Sequence, residues 1–330
     1  MLGVLYAALG AFTFSLNNVM MRRGVVTGSV LQGMALTVPI GALSFLVMAA
    51  CFGVLGELVA FPTVALAWLA CQGVTHFVMG RYCNYKSNQL MGVNLAGPVV
   101  QLQVPFAMML AVVMLHERLT VLQAIGSTLM LGGSFATQSN SAKRKPQGAA
   151  PKPGPVFEPR VLSGYVFGLA AAMCYGSSPL MARQAFLNAP GVSAVAGGCV
   201  AYAAATLVFS LVLLKPGSWG DIRGMKRENM PWFLSAVVLV AISQAFVYAS
   251  LAIAPMMVVT PILQLSLVFR LFLSQLINRD HEVMNTAVLI GAGTAVLGSI
   301  LVSLPTHELS TVLDLPPSLA DFLSYRLAGQ

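Results

Sequence analysis

Apolar residues come in ten runs, at about residues 2–20, 30–52, 63–83, 91–115, 121–137, 161–181, 192–214, 231–253, 256–277 and 284–304, with short polar or basic stretches between them. Most reach the roughly 20 residues a helix needs to cross the hydrocarbon core. The pattern therefore predicts an all-α polytopic membrane protein with ten transmembrane helices. One stretch inside this apolar ground occurs twice. Residues 98–106 read PVVQLQVPF and residues 261–269 read PILQLSLVF, 163 residues apart. Each copy places a proline and a glutamine within a span. A proline in a helix interior lacks an N–H and frees the carbonyl four residues earlier. In hydrocarbon such groups need partners in protein or trapped water, so two broken polar helices at matching positions predict a shared internal cavity.

The repeat extends through both halves. At a spacing of 161, Gly3 matches Gly164, Asn17 matches Ser178 and Arg22 matches Arg183. Helix eight aligns Trp232 with Trp68, Gln244 with Arg81 and Tyr248 with Tyr85. Helices five and ten read IGSTLMLGGSF and IGAGTAVLGSI at a spacing of 165. Their glycines suit close helix contact, either within the chain or at a homodimer surface. The units are residues 1–138 and 160–304, joined by a flexible Pro-, Gly-, Ala- and Lys-rich linker at 139–159. Residues 305–330 form a tail in which LADFLSYRLAG suits a short interfacial amphipathic helix. Each half has five spans, an odd number, so tandem copies enter the membrane in opposite senses. The result is a 5+5 inverted repeat, an arrangement suited to alternating access.

Composition agrees. Hydrophobic residues make up 57% and charged residues 8% of the chain, with a mean hydropathy of +0.81, far from soluble globular proteins. The net charge of +8 does not signal nucleic acid, because the basic residues lie beside helix ends. Fourteen Lys and Arg fall in the connections after odd-numbered helices, against three (Arg118, Arg183 and Arg326) on the other side. The positive-inside rule then places both termini outside a membrane read as the bacterial cytoplasmic one. The start, MLGVLYAALG, lacks a basic n-region and reads as a retained helix. Five cysteines, an odd number and all within apolar runs, read as packing thiols.

Candidate chemistry sits on the interrupted helices. Asn94 and Gln101, seven residues apart, share a face, and Pro98 and Pro105 free the carbonyls of Asn94 and Gln101. In helix nine, Pro261 precedes Gln264, which shares a face with Gln275, and Ser266, Arg270 and Ser274 form a second polar stripe. Arg270 is the deepest cation and is read as a substrate or structural partner, or as a side chain reaching the surface. His76 is read evenly as a cavity residue or a neutral histidine bonded to a neighbouring carbonyl. Asn17, Gln244 and Tyr248 complete the expected cavity, with Pro179 breaking helix six. Arg22, Arg81 and Lys86 are read first as headgroup anchors, Arg81 and Lys86 with charge contacts to substrate as the alternative. The acidic residues Glu57, Glu117, Asp280 and Glu282 all lie at span ends. Four scattered histidines without HExxH suggest neither metal nor enzyme, and no cofactor is expected.

The Pro-containing fourth and ninth helices, the LHERLT turn at 115–120, the IGxxLxxGG-like fifth helix and the 5+5 arrangement together resemble the drug/metabolite transporter superfamily in its EamA-type branch, over nearly all of residues 1–304. The resemblance implies a ten-helix secondary transporter whose cavity is lined by helices one, three, four, six, eight and nine, moving amino acids, other metabolites or toxic organic compounds. Two features depart from it. Asp280 stands at the position of Glu117, and many members look as though both termini lie inside. The expected function is export of a small anionic or zwitterionic metabolite by alternating access, with a proton or counter-solute as coupling partner. Uptake, export of a drug or lipid-like compound, and a channel remain as alternatives.

Overall fold

The computed structural model describes residues 2–115, 119–142, 159–253, 262–263, 265–279, 282, 285–303 and 316–328. Pro261 and Gln264, most of the linker and the first part of the ninth run lie outside the described residues.

The first half comprises α1 (Leu2–Thr27), α2 (Val30–Cys51), α3 (Thr63–Gly73), a π-helical segment (Val74–Gly80), α4 (Arg81–Met91), α5 (Val93–Val100), α6 (Gln103–Leu115) and α7 (Val121–Ala142). The second comprises α8 (Val161–Leu187), α9 (Ala194–Leu213), α10 (Ser218–Arg223), α11 (Met230–Ile253), α12 (Ser266–Ile277) and α13 (Thr286–Ser303). The tail forms α14 (Pro317–Ser324) and an antiparallel pairing of residues 326–328 with 119–120. Among the described residues, seven helical stretches are long and apolar enough to span a membrane, and shorter apolar helices occupy runs five, nine and ten. Large apolar side chains such as Leu43, Val113, Leu162, Leu207 and Phe272 are exposed, as a hydrocarbon-facing surface requires.

The fourth span is broken as its prolines predict. α5 stops at Val100, Gln101 and Leu102 form a turn, and α6 starts at Gln103. With Pro105 unable to donate, the Gln101 carbonyl accepts instead from the Val104 N–H at 3.1 Å, a tightened turn that leaves it satisfied. A second break precedes α5 at Gly92, whose φ of +86° and ψ of 159° suit glycine and almost nothing else.

Small residues set the helix contacts. α7 and α13 meet through paired glycines: a methyl group at Gly126 would lie 2.6 Å from the Gly298 carbonyl oxygen, and one at Gly133 would lie 2.5 Å from that of Gly291. Gly126, Gly133 and Gly298 are thus used within the chain, while Gly132 and Gly293 face open space. Gly73 of α3 likewise abuts the Ala201 carbonyl of α9. The largest apolar core joins α1, α2, α9 and α11 through Met21, Met34, Phe45, Tyr202, Phe209 and Phe233.

Candidate functional site

A cavity of about 270 Å³ lies between α1, the third and fourth spans, α8, α11 and α12. Six of the residues expected there line it: Asn17, His76, Arg81, Gln101, Gln244 and Arg270. Asn18, Asn84, Tyr85, Gln103, Tyr175, Ser243 and Ser266 join them.

The cations carry the electrostatics. Arg81 follows the π segment, a wide turn of the kind that recurs at functional sites, and is 6% exposed. It donates from Nη1 to the Thr37 carbonyl at 3.0 Å and from Nη2 to the Tyr202 hydroxyl at 2.8 Å. Its guanidinium also lies 5.2 Å from the Phe77 ring centroid and 5.5 Å from that of Tyr202, within cation–π range. It is a buried cation of the cavity wall, not a headgroup anchor. Arg270, also 6% exposed, lies over Gly97, and its Nε has no hydrogen-bond partner. No acidic side chain lines the cavity among the described residues.

The neutral groups are arranged around Ser178. Its hydroxyl accepts from Gln72 Nε2 at 2.9 Å and lies 3.0 Å from His76 Nδ1. His76 therefore meets a side chain, not the neighbouring carbonyl expected of a structural histidine, and the Tyr175 ring stands 4.6 Å from it. Ser178 is the repeat partner of Asn17, so corresponding positions of the two halves both face the interior. Asn17 itself is 3% exposed and its Oδ1 is unpartnered. Gln103 Nε2 donates to Gln101 Oε1 at 3.2 Å, tying the two ends of the fourth-span break.

Other expected site residues stand elsewhere. Asn94 is fully buried and accepts a 2.6 Å bond from Ser274 Oγ, joining α5 to α12 outside the cavity lining. It does share a face with Gln101, but seven residues along a helix is about 10 Å, and α12 covers that depth. Replacing Asn94 by alanine is expected to lower thermal stability, by the roughly 1–3 kcal/mol of a stranded buried polar group, without changing cargo preference; thermal unfolding and a substrate panel check this. Lys86 donates to Gln89 Oε1 at 2.8 Å, also outside the lining. Pro98 is buried inside α5, Pro105 lies in the first turn of α6, and α8 runs through position 179. The Tyr248 and Pro179 side chains are outside what is described.

Two residues assigned to the surface are interior. Arg22, expected as an anchor, is fully buried, and its Nε lies 3.1 Å from Glu282 Oε1. Glu282 reaches between α12 and α13 to accept N–H groups of Val93 and Asn94 at 3.0 Å each, while Arg22 Nη1 donates to the Gln89 carbonyl at 2.8 Å. Burial raises the Glu282 carboxyl above the ordinary carboxylate range, and Arg22 and the two N–H groups oppose that rise. A signal existed in sequence. In the 165-residue register of helices five and ten, His116-Glu117 falls on His281-Glu282, so Glu282 and not Asp280 is the counterpart of Glu117.

Apolar spans wrapped around a polar, cation-bearing interior define an all-helical polytopic membrane protein. The chain belongs to the EamA-like transporter family, which matches residues 1–138 and 162–304, one stretch in each half. That family falls within the drug/metabolite transporter superfamily. No curated protein matches the chain significantly. Fifteen solved chains do; one, described as "Crystal structure of protein", is 16% identical with a TM-score of 0.52 and covers 94% of this chain and 99% of its own. That likeness concerns the fold alone.

Proposed function

We propose that the chain is a secondary transporter that exports a small anionic or zwitterionic metabolite by alternating access between two inverted five-helix halves. The observation that carries this reading is the buried Arg270 guanidinium, with an unpartnered Nε, in a cavity without a lining acid among the described residues. A buried cation is costly unless a counter-charge meets it, and a bound carboxylate or phosphate supplies one. Asn17 Oδ1, also unpartnered, offers an acceptor for the ammonium of a zwitterion. The volume falls just under the ~300–1,000 Å³ of drug-sized pockets, which favours a small cargo over a drug or lipid. Gln101, at the helix break, is the neutral group best placed to follow cargo as the fourth span moves. Arg22 and Arg81 leave the headgroup count, yet twelve basic residues still oppose three, so the reading keeps both termini outside.

Counterflow in proteoliposomes tests it, with separate preloaded pools of organic anions, zwitterionic amino acids and organic cations. Accumulation from an anionic or zwitterionic pool, lost in Gln101→Ala, is the expected result. Accumulation from the cation pool alone, or from none with folded protein, overturns it. Saturation separates a carrier from a channel.

A further inference from the structure

We infer that Arg22 and Glu282 form a latch that closes the cavity at the face carrying the interdomain linker, and that their separation opens it there. This rests on the carrier reading above. The cavity lining ends toward that face at Asn18 of α1, Asn84 and Tyr85 of α4 and Arg270 of α12. Arg22 lies one helical turn beyond Asn18, at the level where Glu282 crosses over. Beside the latch an apolar cluster joins α1, α5 and α12, with Val19, Val93 and Leu273 packed against Leu16, Phe269 and Ile277.

The bonds at this level join one half to the other. Glu282, from the second half, holds Arg22 on α1 and caps α5 through Val93 and Asn94. Asn278, also from the second half, donates to the Val19 carbonyl at 2.8 Å. α1, α5 and α12 all contribute to the cavity lining as well, so moving them apart parts this cluster and the latch together. Gly92 makes room for the carboxylate: a methyl group there would sit 2.5 Å from Glu282 Oε2.

A charged latch suits a gate. Removing one partner leaves an uncompensated buried charge, which holds the closed state. Opening that face hydrates both groups together, so neither charge is stranded in the open state. The linker side thus has a closure that is stable when dry and releasable when wet. Sequence repeats both partners, since Arg183 follows Arg22 by 161 residues and Glu117 precedes Glu282 by 165.

The test uses the full chain with its five cysteines replaced by serine and Ser266→Cys as a reporter in the cavity. A membrane-impermeant maleimide is applied to vesicles of either orientation. Glu282→Gln keeps a carbonyl oxygen for the α5 cap but removes the charge; it and Arg22→Gln are expected to raise labelling from the linker face at least tenfold, whereas Arg22→Lys stays within about threefold of the parent. Unchanged labelling, equal rises from both faces, or Arg22→Lys behaving like Arg22→Gln would overturn the latch. Counterflow by the parent is read separately, so failure of the carrier reading shows as absent exchange, and failure of the latch as absent sidedness.

Discussion

Arg270→Gln is expected to weaken cargo binding by at least about 30-fold while leaving the protein folded. Arg270 is 6% exposed and makes no direct ion pair with a carboxylate among the described residues, Glu282 acting on it only from beyond ion-pair distance, so a cargo carboxylate or phosphate is the counter-charge that can meet it directly. Removing one member of a desolvated charge pair costs roughly 2–5 kcal/mol, and each 1.4 kcal/mol is tenfold. Glutamine ends the buried-charge penalty of the empty cavity, so stability should hold or rise. Arg270→Lys keeps the charge but loses the planar fork that meets a carboxylate on two atoms, and should fall between. Half-saturation of counterflow, with thermal unfolding in detergent as the folding control, measures both. Unchanged half-saturation for an anionic cargo would remove Arg270 from the recognition site.

Gly298→Val should be strongly destabilising. A side chain at Gly298 collides with the Gly126 carbonyl and lies 2.9 Å from Met130 Cγ and backbone N, while Gly126 presses back on the Gly298 carbonyl at 2.6 Å. Two backbones in mutual contact have no rotamer to yield, so the helices must part. Overpacking costs typically about 1–3 kcal/mol and sometimes more, and parting α7 from α13 also forfeits the contacts along both. Gly293, on the same helix, has nothing within 4 Å of the position a side chain would take. Gly293→Val should therefore shift the unfolding temperature little, while Gly298→Val lowers it by many degrees or prevents folded expression. Similar behaviour of the two variants would show that the α7–α13 contact is not what holds these spans together.

How far the chain could be read from sequence depended on which physical signal each feature leaves. Hydrophobic runs are long and additive, so the apolar helices were legible. The break in the fourth span was legible because Pro98 and Pro105 remove specific hydrogen bonds. Depth and rotation were harder. Asn94 and Gln101 share a helical face, yet only Gln101 reaches the cavity, because α12 covers one level and not the other. Arg22, Arg81 and Lys86 all look alike beside span ends; what separates a headgroup anchor from a buried ion is a partner, and that of Arg22 lies 260 residues away. Glu282 was hidden for the same reason, and became visible only in the register of the closing helices.

The π segment at Val74–Gly80 explains an irregularity in the repeat. Trp68 and Trp232 are 164 residues apart, whereas Arg81 and Gln244, and Tyr85 and Tyr248, are 163 apart. One more residue separates Trp68 from Arg81 than separates Trp232 from Gln244, and the widened turn falls inside that interval, while α11 is continuous α-helix through the corresponding stretch. A single inserted residue would turn everything beyond it by about 100° in an unbroken helix. Stored in one π turn, it leaves Arg81 and Gln244 both facing the cavity. The two halves can thus differ in length at this point, and the pocket gains a cation from one half and an amide from the other.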